Sequence, residues 1–254
     1  MSLVLQPDGA PSPDAAASPT AGEAHVWLID LELGAGTLED AELLTILSEH
    51  QRAARLRRPL DRVRFLRGRA ALRLVLSTYA GCRPRAVDLR ADEKGRPFLA
   101  DLDRFDFNSS GSGGFAAIAV STDSRVGIDI EAIQADFPCR QLAQRFFSAE
   151  ENRTLERLPA DRLTAGFFQA WVAKEACVKA WGMGLSLPLN SFDVEADPGR
   201  APALLHRRSC EPPLWLSAIA APDGYAAALA SDRPLRHARV NRLRFHELAA
   251  VGRA

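Results

Sequence analysis

Residues 115–133 read FAAIAVSTDSRVGIDIEAI. Phe115–Ser121 is apolar almost without interruption, the composition of a strand buried on both faces. Thr122, Asp123, Ser124 and Arg125 are turn-forming in combination. Beyond them Val126, Ile128 and Ile130 alternate with Gly127, Asp129 and Glu131, so a second strand carries apolar side chains on one face and two carboxylates on the other. A strand, a turn and a strand near the middle of 254 residues place a hinge at Ser121–Arg125 and divide the chain into two parts.

On the N-terminal side, HVWLIDLEL from His25 alternates well enough to be a strand. Apolar residues from Thr37 onward recur at helical spacing, with Pro59 and Asp61 marking a break and a restart and Gly81 an end. VDLRADEKGRPFLADL then reads as a strand, a turn at Lys94–Pro97 and a short extension, and FDFNSSGSGG as a lead into the Phe115 strand. On the C-terminal side, CRQLAQRFFSAEENRTLERL and FFQAWVAKEACVKAW are helical, and SFDVEA, LWLSAIA and YAAALAS close the chain as strands. The order strand, helices, strands, helices, strands predicts an α+β fold of two halves, 24–122 and 123–254, behind a flexible Pro-, Ala-, Ser- and Asp-rich leader over 1–23.

Hydrophobic residues make up 47% of the chain and charged ones 25%, enough apolar material for one large core or two small ones. Thirty-two basic residues balance thirty-two acidic ones, so there is no overall charge to draw the protein to nucleic acid or to an anionic membrane. The Arg-rich run from Arg52 to Arg73 carries no nucleic-acid-binding motif. Cys82, Cys139, Cys177 and Cys210 are scattered, without metal-ligand or disulfide spacing. The N-terminus has no export signature, and no apolar run reaches about 18 residues, so a cytoplasmic protein that spans no membrane is expected.

Two features carry chemistry. Asp129 and Glu131 are hard oxygen ligands pointing the same way, although the wet face of an antiparallel strand would look the same. Glu175 falls inside the helical stripe of Phe168, Trp171, Val172 and Val178, where a charge must be paired or bind a metal; with Lys179 a turn away, a solvated ion pair is the ordinary alternative. A third carboxylate brought beside Asp129 and Glu131 would complete an oxygen site of the kind magnesium takes.

GRP (Gly95–Pro97), FN with Ser110, VGIDIE (Val126–Glu131), RFFSAEE (Arg145–Glu151) and WVAKEACVKAWGMGLSLPL (Trp171–Leu189) occur in this order. Together they resemble the Sfp-type 4'-phosphopantetheinyl transferases, the holo-[acyl-carrier-protein] synthase type, over nearly the whole chain after the leader. The resemblance implies two similar α+β halves related by a pseudo-twofold axis, an active site in the cleft between them, and action as a monomer. It implies transfer of the phosphopantetheine arm of coenzyme A to a serine of an apo acyl or peptidyl carrier protein, with Mg2+ or Mn2+. Asp129, Glu131 and Glu175 match the metal ligands, and Glu175 also matches the base. Lys179 matches the lysine on the diphosphate; Gly95, Arg96 and Pro97 match the nucleotide loop; Asn108, Ser110 and Gly111 match the FN-x-S segment. Arg52 falls where the family has a basic phosphate contact, a position that a solvated helix face explains equally. Gly111 departs from the pattern: the family has a phosphate-touching histidine there. A loop rebuilt around Gly113 and Gly114 to cradle an anion with backbone N–H groups is the favoured expectation, and a histidine at 111 would be tolerated poorly if Gly111 had a positive φ. The alternative is a degenerate homologue that binds carrier or coenzyme A without efficient transfer. Carrier docking is expected at Phe137–Phe147, where apolar residues are plentiful.

Overall fold

A computed structural model describes residues 4–5, 18–32, 45–100, 102, 104–207 and 211–251. The strands are β1 (Val4–Leu5), β2 (Glu23–Asp30), β3 (Leu89–Ala91), β4 (Pro97–Leu99), β5 (Asp106–Ser112), β6 (Phe115–Ser121) and β7 (Val126–Ala132), followed by β8 (Phe192–Val194), β9 (Leu204–Arg207), β10 (Trp215–Ile219), β11 (Tyr225–Ser231) and β12 (His237–Arg244). The helices are α1 (Leu47–Ala53), α2 (Pro59–Ala80), α3 (Cys139–Phe146), α4 (Ala149–Arg157), α5 (Ala160–Trp181) and α6 (Phe245–Val251). The mixed α+β class expected from the element order is what the chain adopts.

Two four-stranded sheets form, in the orders β12-β2-β6-β5 and β1-β10-β11-β7. The run β2-β6-β5 of the first matches β7-β11-β10 of the second, and each set wraps one 22-residue helix, α2 or α5. Both helices stop at a glycine in the left-handed conformation, Gly81 (φ 64) and Gly182 (φ 67). The halves are thus built to one plan. Each has its own core: Leu72, Leu76 and Tyr79 of α2 pack on Trp27, Phe107 and Ile118, and Phe167, Ala170 and Cys177 of α5 pack on Phe147, Phe192 and Ala228. A third cluster joins them, with Val26, Leu28 and Ala119 against Val126, Ile128, Ile130 and Leu229.

A split of the chain at 122/123 does not describe the pairing. β12 runs parallel to β2 over eight residue pairs, inside the sheet of the first half, and α6 packs on α2. At the other end Val4–Leu5 pairs in parallel with Ala218–Ile219 of the second half. Much of the expected leader, 1–23, and of the helical reading from Thr37 to Leu44 lies outside the described residues. In the described part of the leader, Thr20 donates to the Glu23 carboxylate from its backbone and its hydroxyl, both at 2.9 Å, and Glu23 opens β2.

Position 127 lets α5 lie directly on β7. A Cβ there would overlap the Ala176 carbonyl and the Ala180 amide, so only glycine admits the helix at this distance. β5, read from sequence as a mere lead-in, is a strand whose alternate side chains reach β7. Asp106, Asn108 and Ser112 accept from the N–H groups of Val126 (2.7 Å), Ile128 (3.0 Å) and Ala132 (3.1 Å). These side chains stand in for the neighbouring strand that the edge of β7 lacks.

Candidate active site

α5 lies between the core of the second half and a cavity of about 580 Å³ between the halves. Glu175 and Lys179, one helical turn apart, line it from α5; Gly95, Arg96, Pro97 and Asn108 line it from the first half. Glu175 and Lys179 are half-buried. The apolar stripe assigned to this helix was too narrow, because α5 is buried almost all round, and the charge fully inside the protein is Lys174 at 0% exposure.

The carboxylates of β7 sit behind that wall. Asp129 is 3% exposed, so the solvated-strand reading of its face does not hold. Its Oδ1 accepts from Lys179 Nζ at 2.7 Å and from Ser110 Oγ at 2.7 Å. Lys179 also donates to Ser110 Oγ (2.9 Å) and the Ile128 carbonyl (3.1 Å), so its ion pair is with Asp129 rather than with Glu175. Ser112 donates to Glu131 Oε2 at 2.7 Å.

Burial raises the pKa of Glu175, and the charges of Asp129 and Glu131 add to this against the offset of Lys179. Burial also raises Glu131, opposed by the Ser112 hydrogen bond and reinforced by the Asp129 charge. Among the described residues, Asp129 Oδ2 is buried and has no hydrogen-bond partner. A buried carboxylate oxygen without a donor beside two destabilised carboxylates is an environment that a hard cation would relieve, and the oxygen donors suit magnesium. Among the described residues, however, no three such side chains already converge on one point.

Several expected nucleotide contacts are committed elsewhere. Arg96, whose side chain is 8% exposed, donates to the Asp106 carboxylate (2.7 Å) and to the carbonyls of Val126 (2.8 Å) and Lys179, so it staples the halves together. Asn108 is turned to β7 through its side-chain oxygen. Ser110 and Gly111 line a second, smaller cavity of about 400 Å³ against α2. Arg52 lines neither cavity; its guanidinium lies 5.5 Å from the centre of the Phe65 ring.

Gly111 is an ordinary strand residue, not left-handed, and a Cβ there would meet only the Phe115 carbonyl at 3.5 Å. The positive φ falls instead at Gly113 (φ 55), in the hairpin between β5 and β6. The Gly114 N–H that was to cradle an anion donates to the Tyr225 hydroxyl at 3.0 Å. Of the apolar residues of 137–147, Phe137 packs on Phe168 (5.2 Å between ring centres) and Phe147 stacks on Phe167 (5.2 Å), while Phe146 is half-buried and lines the larger cavity.

Sequence reasoning missed Lys174 and Lys94. Lys174 Nζ donates to the carbonyls of Leu189 and Phe192, both at 2.6 Å, and pairs with Glu151 at 2.7 Å. The spacing Phe167, Ala170, Lys174, Cys177, Trp181 is itself a helical stripe and could have found it. Lys94 lines the larger cavity.

Residues 125–230 match the family described as the 4'-phosphopantetheinyl transferase superfamily, and residues 39–123 match the 4'-phosphopantetheinyl transferase N-terminal family. The 4'-phosphopantetheinyl transferase HetI of Nostoc sp. is 34% identical over 211 residues, 81% of this chain and 86% of that protein. A 4'-phosphopantetheinyl transferase of Bacillus subtilis is 33% identical over 167 residues, 65% of this chain and 73% of that one. A Synechocystis sp. relative is 38% identical over 144 residues, 56% of this chain and 58% of its own length. The chain belongs to the 4'-phosphopantetheinyl transferase superfamily.

Proposed function

We propose that the protein transfers the 4'-phosphopantetheine arm of coenzyme A to a serine of an apo acyl or peptidyl carrier protein and releases adenosine 3',5'-bisphosphate. The observation that carries this reading is the cavity between the halves, with Glu175 and Lys179 on one wall and the Lys94–Pro97 loop on the other. The serine oxygen forms a bond to the phosphorus that bears the arm, and the bond from that phosphorus to the bridging diphosphate oxygen breaks. Such a displacement asks a protein mainly for alignment and for charge to meet charge.

Asp129, through its unpartnered oxygen, with Glu131 and Glu175 would hold Mg2+ or Mn2+. That ion, when bound, supplies charge neutralisation and orientation for the diphosphate. Lys179 stands beside the same place and offsets negative charge on the leaving oxygen. Glu175, on the wall of the same cavity, takes the serine proton. Ser110 and Ser112 hold Asp129 and Glu131 in position. One chain supplies both walls of the cavity, which favours action as a monomer. The thiols Cys82, Cys139 and Cys177 are free, which suits the cytoplasm. Among the described residues no helix is long and apolar enough to cross a membrane. Binding without transfer has no support beyond the glycine at 111.

Incubating the protein with coenzyme A, magnesium and a panel of apo carriers, read by intact mass, tests the reading. One carrier at least should gain the arm; Glu175→Gln should lower turnover by about 10²–10⁴-fold, and excess chelator should stop it. Undiminished transfer in chelator overturns the metal assignment, and no transfer to any carrier overturns the function.

A further inference from the structure

The hairpins β5–β6 and β10–β11 meet between the halves at two aromatic residues that differ by one oxygen. β6 and β11 are both seven residues long, and matched end to end they set Phe115 against Tyr225 and Ser121 against Ser231. Each follows a glycine whose carbonyl accepts from the chain beside it, Gly114 from the Leu31 N–H (2.8 Å) and Gly224 from the Ile133 N–H (2.7 Å). The rings of Phe115 and Tyr225 meet edge to face with centres 4.9 Å apart. The pairing of β6 with β2 and of β11 with β7 extends the match: Trp27 and Ile29 take the places of Asp129 and Glu131. The half with phenylalanine is therefore apolar where the half with tyrosine carries its carboxylates. One hairpin is built without a hydroxyl at this place, so the fold alone does not call for the one on Tyr225.

That hydroxyl reaches across to the other hairpin and accepts from the Gly114 N–H at 3.0 Å. Gly113, at φ 55, lies so close that a Cβ there would stand 2.5 Å from the hydroxyl oxygen. The residue before it is Ser112, whose hydroxyl donates to Glu131 Oε2 (2.7 Å) and accepts from the Ala132 N–H (3.1 Å). Ala132 is in turn the strand partner of Tyr225. The contacts close on themselves: the tyrosine oxygen fixes the turn, and the turn carries the serine that holds the carboxylate.

On the reading of Asp129, Glu131 and Glu175 as metal-holding carboxylates, we propose that Tyr225 is a positioning residue for that site. Its hydroxyl, through the Gly114 amide and Ser112, keeps Glu131 in the orientation that receives the ion. Without the hydroxyl, the Gly114 N–H loses its acceptor and the turn that carries Ser112 loses its anchor.

Tyr225→Phe, Ser112→Ala and the double variant, each in the full chain, test this. Mn2+ binding is read from the electron paramagnetic resonance signal of the free ion with coenzyme A present, against a blank of coenzyme A alone. Melting temperature and carrier loading over a range of Mg2+ are measured on the same preparations. Loss of one hydrogen bond should weaken Mn2+ binding to Tyr225→Phe by about two- to tenfold. Loading should then need more Mg2+ by a similar factor and approach the wild-type rate at saturation. Ser112→Ala should weaken binding at least as much, and the double variant no more than Ser112→Ala, because both groups act through one contact. Wild-type Mn2+ affinity in Tyr225→Phe, whatever its melting temperature, would make the hydroxyl a structural contact only. Losses that add in the double variant would mean that it does not act through Ser112. Both results overturn the inference while leaving the metal reading intact. A wild-type protein that binds no Mn2+ overturns the metal reading and this inference with it.

Discussion

Lys174 and Glu175 are neighbours with opposite duties. Lys174 has no access to water, and all three of its protons are taken, by Glu151 and by two carbonyls on the stretch from Leu189 to Phe192. Burial lowers its pKa, and the Glu151 charge works against that shift. Glu151 in turn accepts from the Ser148 N–H (2.8 Å), closing the cap of α4, and from the Val194 N–H (2.8 Å) on β8. One ion pair therefore ties the cap of α4, the stretch from Leu189 and β8 to the helix that carries Glu175. Truncating one partner strands the other charge in the core, so Lys174→Ala should cost about 3–5 kcal/mol in urea unfolding. The double variant Lys174→Met, Glu151→Met should recover much of that loss, because neither charge is then left buried. A Lys174→Ala protein as stable as wild type would show that water reaches Glu151 after all.

Among elements, β7 and α5 decide the site through their separation. The contact at Gly127 leaves no room for a methyl group, so Gly127→Ala must drive the helix outward or strain the strand. Overpacking of this kind costs about 1–3 kcal/mol or more. Because Glu175 rides on α5 and Asp129 on β7, turnover should fall further than stability does. Thermal unfolding and carrier loading on the same preparation check this; full turnover at a lowered melting temperature would mean that the spacing is not critical. These two elements were also the most legible in the sequence. The alternation of Val126–Glu131 and the helical spacing around Trp171 are strong periodic signals, and they brought Asp129, Glu131, Glu175 and Lys179 into view. β5 was not legible, since its Asn, Ser and Gly residues have poor strand propensity. They are polar because Asp106, Asn108 and Ser112 bond the backbone of β7, a tertiary reason that no local pattern carries. The commitment of Arg96 was hidden for the same cause: its partners lie 10, 30 and 83 residues away.

At the scale of the whole molecule, the two ends of the chain trade places. Removing residues 233–254 would take away β12 and α6, and with them the buried Val240, Leu243, Phe245 and Leu248. Four such side chains at about 1.5–3 kcal/mol each amount to much of the total stability of a typical domain, about 5–15 kcal/mol. A chain ending at Asp232 should therefore show no cooperative unfolding transition by circular dichroism and no carrier loading. Residues 24–122 expressed alone should fail in the same way, although they contain a complete α2. A cooperative transition from either fragment would mean that β12 is dispensable. The parallel pairing of β12 with β2 also bears on how the protein comes into being. A nascent chain emerges from the ribosome at about 5–20 residues per second, and early parts usually fold first. Here β2, the earliest long strand among the described residues, waits with one edge bare until residues 237–244 have been translated, so the first half cannot finish before the second has been made. Throughout that wait the open edge of β2 is a place where a chaperone, or another unfinished copy, can attach.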